Sequence, residues 1–409
     1  MGAGTLVELI ARGVEDVYLI GNPQFSFFKS VYRRHTNFAI EPIRQIFTES
    51  PDFGKKMTCI IDKKADMLND ILLEVELPAL ADDVSWTNGI GCFMIDYVEL
   101  QLGGEPIDHI TGDILDAWLE LSTQLGIKNS LYTMIGKQIT FNKNSQIGKL
   151  KLLIPLPFWF TRGVERALPL ISMQYIDVKV IVQFKTFNQC WYKLTDAIPP
   201  YSPSTSTGTP MITNSGLICN YIYLDTHERQ KMATQQSFEY LIEQFQESNA
   251  YQVPLNCINL NVPLFFNHPV KELFWMYRTT VATNANDYYN YANIINYNTP
   301  YEIKNTPFES MQLRFNGNDR FEYISSHYFY LYQPYRHHSC GTNQYIHVYN
   351  FALNPEGIQP SGTSNFSKLD NVSLNLICNP NIQNGYINIY AINYNILKIQ
   401  SGMAGLMFS

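Results

Sequence analysis

Two stretches, 98–104 (VELQLGG) and 311–317 (MQLRFNG), share one pattern that decides the fold class. In each stretch apolar residues alternate with polar ones, as in a strand with one buried face, and the strand runs into a turn. The pairs Gly103-Gly104 and Asn316-Gly317 adopt positive φ readily, which a tight hairpin requires. The two stretches therefore predict equivalent hairpins in two distant parts of the chain.

Three further pairs of stretches recur in the same order in the two halves of the chain. They are 68–75 (LNDILLEV) with 270–277 (VKELFWMY), 176–182 (IDVKVIV) with 372–378 (VSLNLIC), and 218–224 (ICNYIYL) with 389–395 (IYAINYN). Each is a short run of residues that favour strands. Four blocks in one order are seldom produced by chance, so they predict two copies of one β-domain.

The chain of 409 residues is long enough for two domains. Each copy offers about eight strands over roughly 170 to 200 residues, which exceeds an immunoglobulin-like sandwich and fits a jelly roll. We therefore predict an all-β chain with two tandem eight-stranded jelly rolls, a double jelly roll, and short helices in its loops. The predicted division is an N-terminal arm over 1–24, a first jelly roll over 25–228, and a linker helix with the second jelly roll over 229–409.

The arm is predicted from residues 5–20 (TLVELIARGVEDVYLI). Its first half has apolar residues at helical spacing, and the run Val17-Tyr18-Leu19-Ile20 is predicted to be extended. Because chain termini become ordered only when they are tied down, the arm either packs on its own domain or docks on another surface.

Two helices and one long loop are predicted outside the sheets. The helices are expected over 110–125, capped by Thr111 or Asp113, and over 224–236, capped by Asp225 or Thr226. The stretch 196–216 is rich in Pro, Ser, Thr and Gly, which predicts a loop before the last strand of the first domain.

The amino-acid composition indicates that much of the surface is buried in contacts with other protein molecules. Charged residues make up 16% of the chain and aromatic residues 14%. An average soluble domain carries about 25% charged residues, and interfaces are depleted in charge and enriched in aromatics. An aromatic-rich core is the alternative explanation. The net charge of −7 argues against direct nucleic-acid binding, which depends on a basic face.

The cysteines and the apolar runs indicate the kind of cellular compartment in which the protein resides. The seven cysteines are scattered, odd in number and without Cys-x-x-Cys spacing, which favours buried thiols in a reducing compartment. The longest apolar run, 152–160, contains two prolines and is far shorter than the roughly 20 residues that span a bilayer. We expect no transmembrane helix, no signal peptide and no myristoyl anchor, since Leu6 replaces the required Ser or Thr.

Four histidines lie close together in the sequence and are candidate metal ligands. They are His327, His337, His338 and His347. No His-x-His pair or suitably spaced carboxylate accompanies them, so we interpret them as non-ligating.

No motif predicts a reaction. The sequence lacks the phosphate-binding loop, the dinucleotide fingerprint, the zinc-protease helix and the nucleophile elbow. Asp82-Asp83 and the pair Asp108 and Asp113 are interpreted as solvated loop carboxylates. We therefore predict no catalytic, cofactor-binding or metal-ligating residues, and a protein that is not an enzyme.

Several motifs are spread along the whole chain. They are 16–24 (DVYLIGNPQ), 31–38 (VYRRHTNF), 224–229 (LDTHER), 239–244 (EYLIEQ), 351–356 (FALNPE) and 359–367 (QPSGTSNFS). Together with the tail Ser401-Gly402-Met403, these motifs resemble the major capsid proteins of nucleocytoplasmic large DNA viruses. Ala404 departs from the family pattern, which has Gly there.

The resemblance implies the major structural subunit of an icosahedral viral shell. In that family two barrels stand side by side, three chains form a homotrimeric capsomer of pseudo-hexagonal outline, and capsomers tile the shell. The implied partners are the homotrimer, neighbouring capsomers and minor capsid proteins, with the N-terminal arm contacting an inner layer or membrane-associated proteins. The implied location is the virion capsid, after assembly in the host cytoplasm, and no cofactor is implied.

Two alternatives remain open on the sequence. One is a minor capsid or spike protein of the same virus class, which copy number in particles would identify. The other is a jelly-roll enzyme or lectin that depends on a metal held by residues between His327 and His347, which metal analysis would identify.

Overall fold

The computed structural model describes residues 2–80, 84–138, 148–193, 211–235, 237–293, 306–341 and 344–408. The chain divides into two units, Met1–Asn37 and Phe38–Ser409. The first unit contains helices α1 (Ala3–Ile10) and α2 (Val17–Ile20). The prediction that Val17–Ile20 is extended is therefore wrong. These residues form one helical turn, which is closed by a 3.0 Å hydrogen bond from Gly21 N to Val17 O. A single turn satisfies backbone groups locally, whereas a strand needs a partner.

The second unit begins with a barrel of eight strands. They are β1 (Phe38–Gln45), β2 (Lys56–Ile60), β3 (Met67–Leu77), β4 (Ile95–Leu102), β5 (Glu105–Thr111), β6 (Leu150–Pro155), β7 (Val178–Phe184) and β8 (Asn214–Leu224). They form two antiparallel sheets with strand orders β1-β8-β3-β6 and β2-β7-β4-β5. The crossovers between the two sheets are those of a jelly roll.

A second barrel follows with the same connectivity. Its strands are β9 (Ser237–Glu247), β10 (Asn259–Leu264), β11 (Pro269–Thr279), β12 (Phe308–Phe315), β13 (Asn318–Asp319), β14 (His347–Asn350), β15 (Val372–Cys378) and β16 (Gly385–Gln400). Their orders are β9-β16-β11-β14 and β10-β15-β12-β13. Each strand of the second barrel therefore occupies the position of the strand numbered eight lower in the first, and the predicted double jelly roll is confirmed.

Short strands extend these sheets. Tyr251–Val253 and Met403–Leu406 pair with β16, Ser364–Asn365 with β11 and Ile324–Ser325 with β12. Val84–Trp86 pairs with Trp191–Lys193 in a separate ribbon.

The four repeated blocks lie in equivalent strands of the two barrels. They fall in β3 and β11, β4 and β12, β7 and β15, and β8 and β16. Both predicted hairpin turns have positive φ, with 62° and 94° at Gly103 and Gly104, and 48° and 81° at Asn316 and Gly317. The repeat in the sequence is thus a repeat in space.

Helices occupy the connections between strands. They are α3 (Ile90–Phe93), α4 (Gly112–Ser122), α5 (Leu125–Ile135), α6 (Thr226–Thr234), α7 (Thr280–Asn284) and α8 (Gln333–His337), which a π-helical turn, Tyr328–Tyr332, precedes. Short 3₁₀ turns occur at Trp159–Arg162, Val164–Arg166, Leu170–Ser172, Phe187–Gln189 and Phe366–Lys368. None of the helices in the described ranges is long and apolar enough to cross a bilayer.

Both predicted helices are present, with differences at their ends. The first one ends at Ser122, and α5, which the sequence analysis missed, follows it. The second is α6, where the carboxylate of Asp225 accepts a 2.8 Å hydrogen bond from the Thr226 N–H. Of the predicted loop, residues 196–210 lie outside the described part of the chain. Its last three residues, 214–216, are not loop but the start of β8, which begins at Asn214.

All seven cysteines are free thiols, and six of them are buried. Burial raises the pKa of both Cys59 and Cys190 to about 12, which keeps these thiols protonated and unreactive.

The seam between the barrels as candidate functional site

The outer face of the β9-β16-β11-β14 sheet is covered by the first barrel. Along β11, Leu273, Trp275 and Tyr277 point into the second barrel's own core. The alternate residues Phe274 and Met276 belong instead to the apolar cluster of the first barrel and are 1% and 3% exposed. We call this contact between the barrels the seam.

The first barrel contributes β5, α4 and the two 3₁₀ turns at 159–166 to the seam. Trp118 on α4 packs edge-on against Phe245 of β9, with ring centroids 6.0 Å apart. The backbone N–H of Phe245 donates a 3.1 Å hydrogen bond to Asp108 at the centre of β5. Apolar rings and buried polar groups therefore alternate across this contact.

Glu243 on β9 is the focus of one buried ionic group. Its carboxylate contacts Arg162, lies 3.0 Å from Arg166, both on the first barrel, and lies 2.6 Å from Lys271 of β11. Burial alone would raise the pKa of Glu243, but the cations beside it, Arg162 foremost, lower it below its usual value. Burial lowers the pKa of Lys271 to about 8, against the opposing effect of Glu243. The carboxylate is therefore held in its charged form between the two barrels.

A second ionic group lies along α4. The Lys137 ammonium is fully buried, contacts Asp116 and lies 2.6 Å from Glu120, which a second lysine, Lys128, also contacts at 2.6 Å. The hydroxyl of Tyr291, from the second barrel, donates a 3.0 Å hydrogen bond to Asp116. Breaking a buried pair leaves an uncompensated charge, so loss of Lys137 alone would be strongly destabilising.

Asp108 and Asp113 are not solvated, so their interpretation from the sequence is wrong. Asp108 is 3% exposed, and burial raises its pKa to about 7. Asp113 forms a two-point ion pair with Arg278 of the second barrel; burial would raise its pKa, but Arg278 lowers it. Their partners lie more than a hundred residues away in the chain, where no local pattern indicates them. Asp82 and Asp83 lie outside the described residues.

His338 bridges two carboxylates of the second barrel. Its side chain is fully buried, with Nε2 3.0 Å from Glu272 and Nδ1 3.0 Å from Glu356. Burial would lower the pKa of His338, but the two carboxylates raise it to about 9. This imidazolium therefore stays charged at neutral pH.

The other three candidate histidines do not converge with His338. His347 is buried with its ring parallel to that of Trp275, 5.8 Å away, and burial lowers its pKa to about 3. His337 contacts the carbonyl of Leu353, and His327 contacts the hydroxyl of Ser325. Across the residues that the structure describes, no group of three or more His, Cys, Asp or Glu side chains could hold a metal ion.

The first barrel has a face equivalent to the covered one. On its β1-β8-β3-β6 sheet, Leu217, Cys219 and Tyr221 point inward. The register of β1 with β8 then places Phe38, Ile40, Ile218 and Leu224 on the outside. Phe38 and Ile40 are 51% and 47% exposed, and Ile218 and Leu224 are partly exposed. We call these four residues the receiving face.

The second barrel also carries apolar side chains where the first barrel carries its seam elements. These residues, which we call the covering patch, are Leu331, Tyr332, Tyr335, Leu353 and Ile358, with exposed fractions of 40%, 50%, 80%, 79% and 49%. The two segments of the patch are joined by contacts of His337 with the Leu353 carbonyl and of His338 with Glu356, each at 3.0 Å. These contacts hold the two segments of the patch beside each other.

Comparison with known proteins identifies the family. Residues 26–225 match the family model described as major capsid protein N-terminus, and residues 228–405 match the model of the large eukaryotic DNA virus major capsid protein. The major capsid protein of Pyramimonas orientalis virus is 36% identical, over the whole of both chains. The chain belongs to the major capsid proteins of large eukaryotic DNA viruses.

Other viral capsid proteins are similar to this chain in sequence, in structure or in both. The major capsid protein of Phaeocystis pouchetii virus is 31% identical over the whole of both chains. The quasi-atomic model of the PBCV-1 virus capsid has a chain with 31% identity and a TM-score of 0.80, covering 94% of this chain and 100% of that one. The Faustovirus major capsid protein, at 12% identity, shares the fold with a TM-score of 0.78, covering 97% and 96% of the two chains.

Membership of this capsid protein family confirms the resemblance found in the sequence. The chain is a structural protein of the viral capsid and not an enzyme, as its relatives are capsid proteins. Its location is the virion. The alternative of a metal-dependent enzyme or lectin is therefore set aside.

Proposed function

We propose that three copies of this chain form a homotrimer with a pseudo-hexagonal outline, and that such capsomers tile an icosahedral shell. One observation carries the proposal: the outer face of the second barrel is buried in the seam, whereas the equivalent receiving face of the first barrel is exposed. Phe274 is 1% exposed in the seam, while Ile40 on the receiving face is 47% exposed. A second molecule would bury the apolar side chains that one chain leaves in water.

The contact that this requires is head-to-tail, because the receiving face and the covering patch lie on different barrels. A head-to-tail contact produces a ring when its rotation closes. Three chains supply six similar barrels, so a closed ring of three has six nearly equivalent contacts, three of them within chains. The low charge and high aromatic content of the chain suit a surface that is mostly buried after assembly.

The division of the chain and the role of the arm belong to the same proposal. We take residues 1–24 as an arm, 25–228 as the first jelly roll, and 229–409 as a linker helix and the second jelly roll. Within the arm, Tyr18 and Leu19 are 90% and 86% exposed, which favours docking on an inner layer, on minor capsid proteins or on membrane-associated proteins. Contacts with neighbouring capsomers and assembly in the host cytoplasm complete the proposal.

Light scattering on the purified chain tests the homotrimer. We expect a mass three times the chain mass of 47.1 kDa, reached at micromolar concentrations and retained on dilution. A chain that remained monomeric at high concentration and in particles would contradict the proposal.

A further inference from the structure

An amine and a carboxyl group of the first barrel are held in contact where solvent does not reach them. Lys137 contacts Asp116, and its Nζ lies 2.6 Å from a carboxylate oxygen of Glu120. The side chains of Lys137 and Asp116 are 0% exposed, and that of Glu120 is 2% exposed. An amine and a carboxyl group are the two reactants of amide formation, so the contact between Lys137 and Asp116 places both reactants together.

Local structure fixes this geometry. Asp116 and Glu120 are four residues apart on α4, which puts them on the same face of the helix, one turn apart. Gly136 ends α5 with a φ of 67°, and the backbone N–H of Lys137 donates a 2.8 Å hydrogen bond to the Tyr132 carbonyl. Because the backbone on both sides is fixed, the two reactants meet at an effective concentration far above any that free groups reach in solution.

Tyr291 and Glu120 supply the groups that the reaction needs. The hydroxyl of Tyr291, from the second barrel, donates a 3.0 Å hydrogen bond to Oδ2 of Asp116, whereas Lys137 contacts Oδ1. A donor at Oδ2 polarises the carboxyl carbon and stabilises the negative charge that develops on this oxygen during attack. Burial would raise the pKa of Glu120, but Lys137 and Lys128 lower it. Glu120 is therefore a carboxylate that can accept a proton from Lys137.

The protonation of Lys137 sets the pace of such a reaction. Burial raises the pKa of Asp116, which favours its neutral acid form. Burial would lower the pKa of Lys137, but Asp116 and Glu120 raise it, so the ammonium is the resting form. A proton that moves from Lys137 to Asp116 removes one of the two charges that raise the lysine pKa. The reaction is slow for this reason, but it has to occur only once in the lifetime of a subunit.

We infer that Nζ of Lys137 and Cγ of Asp116 form an intramolecular amide, an isopeptide bond, in the mature subunit. One proton first passes from the ammonium to the Asp116 carboxylate, which gives a neutral amine and a neutral acid. The amine attacks Cγ, and Glu120 takes a proton from the nitrogen and passes it to the Oδ1 hydroxyl. The bond from Cγ to Oδ1 then breaks and one water molecule leaves. Glu120 ends as the carboxylate it was, and no oxidant or reductant is consumed.

The product leaves its surroundings in order. Lys137 and Asp116 both become neutral, while Glu120 keeps its ion pair with Lys128 at 2.6 Å. The Tyr291 hydroxyl can still donate to Oδ2, which is then the amide oxygen. The bond ties α4, which carries Trp118 into the seam, to the residue that follows α5. A covalent link of this kind restricts the unfolded chain and so stabilises the folded one, independently of how many chains assemble.

Intact-mass measurement of the purified full-length chain tests the inference. We expect a mass below that of the sequence by one water molecule, and peptide mapping should find residues 116 and 137 in one branched peptide. Lys137→Arg should show its full sequence mass, because a guanidinium group does not attack the carboxyl. The matched control is Lys128→Arg. Lys128 also contacts Glu120 at 2.6 Å but does not supply the reacting amine, so this variant should still lose one water molecule.

Two further variants test the chemistry. In Asp116→Asn the same attack expels ammonia, so the mass should fall by one ammonia molecule instead of one water. Glu120→Gln should keep its full sequence mass, because the amide cannot accept the proton. A parent chain with its full sequence mass, both freshly purified and after several days at pH 8, would overturn the inference, as would a loss of water that maps to other residues. The parent measurement needs no substitution, so it decides even where a variant misfolds.

Discussion

The guanidinium of Arg278 in the second barrel holds the carboxylate of Asp113 in the first, with N–O distances of 2.8 and 3.2 Å. Their side chains are only 13% and 16% exposed. We expect Arg278→Met to lower the free energy of unfolding by about 3–5 kcal/mol, because it leaves a buried carboxylate without its cation. Urea titration measures this change.

The control variant is Arg314→Met. Arg314 pairs with Asp319 at 2.8 Å, but their side chains are 42% and 47% exposed, so we expect the free energy of unfolding to fall by only about 0–1 kcal/mol. Equal losses would contradict the role of the seam.

Lys137 neutralises two acids at once, so its removal should have a pH-dependent cost. In Lys137→Met, Asp116 and Glu120 lose their shared, fully buried cation. The pKa of Asp116, which burial already raises, should then rise further, and the pKa of Glu120, which Lys137 and Lys128 lower against the effect of burial, should rise as well. A carboxyl whose pKa is raised in the folded state makes that state less stable as pH increases. We expect the loss of unfolding free energy to be larger at pH 8 than at pH 5. Lys151→Met, at a side chain 60% exposed, should show little pH dependence.

His338 should make stability fall as the solution becomes alkaline. Its pKa is raised from 6.5 to about 9 by Glu272 and Glu356. The stabilisation is complete below the unfolded value and is lost as pH rises through the folded one. A difference of this size corresponds to roughly 3 kcal/mol. The unfolding free energies of the parent chain and of His338→Gln should therefore differ most at pH 6 and converge above pH 9. A constant difference would show that the imidazole contributes only through packing.

The turn at Asn316-Gly317 should tolerate some residues and reject others. Gly317 has φ of 81°, and a Cβ at this position would meet no atom within 4 Å, so any cost comes from the backbone conformation. We expect Gly317→Val to lower the unfolding free energy by about 1–3 kcal/mol, since a β-branched residue resists positive φ. Gly317→Asn should cost much less, because Asn adopts this conformation. Thermal unfolding compares the two, and equal melting temperatures would mean that the turn adopts another conformation.

The sequence predicts the sheets well because strand periodicity and turn residues are local signals. The stretches 98–104 and 311–317 form equivalent hairpins, as their sequence pattern predicts. Asp225 caps helix α6, also as predicted. The environment of Asp108 could not be predicted, because the N–H group that binds it belongs to Phe245, on a strand of the other barrel. One signal was available: acids at positions 113, 116 and 120 share a helix face with apolar neighbours, which is unusual for a solvated helix.

The helix α6 joins the two barrels in one polypeptide, and none of its residues is buried. A short tether of this kind holds each barrel at an effective concentration of roughly millimolar around the other, whatever the amount of protein in the cell. Damage to the seam therefore cannot be rescued by making more subunits, whereas a weakened contact between separate molecules can be. Because the tether also fixes which two barrels meet, the two sides of the seam can differ from each other without any loss of pairing specificity.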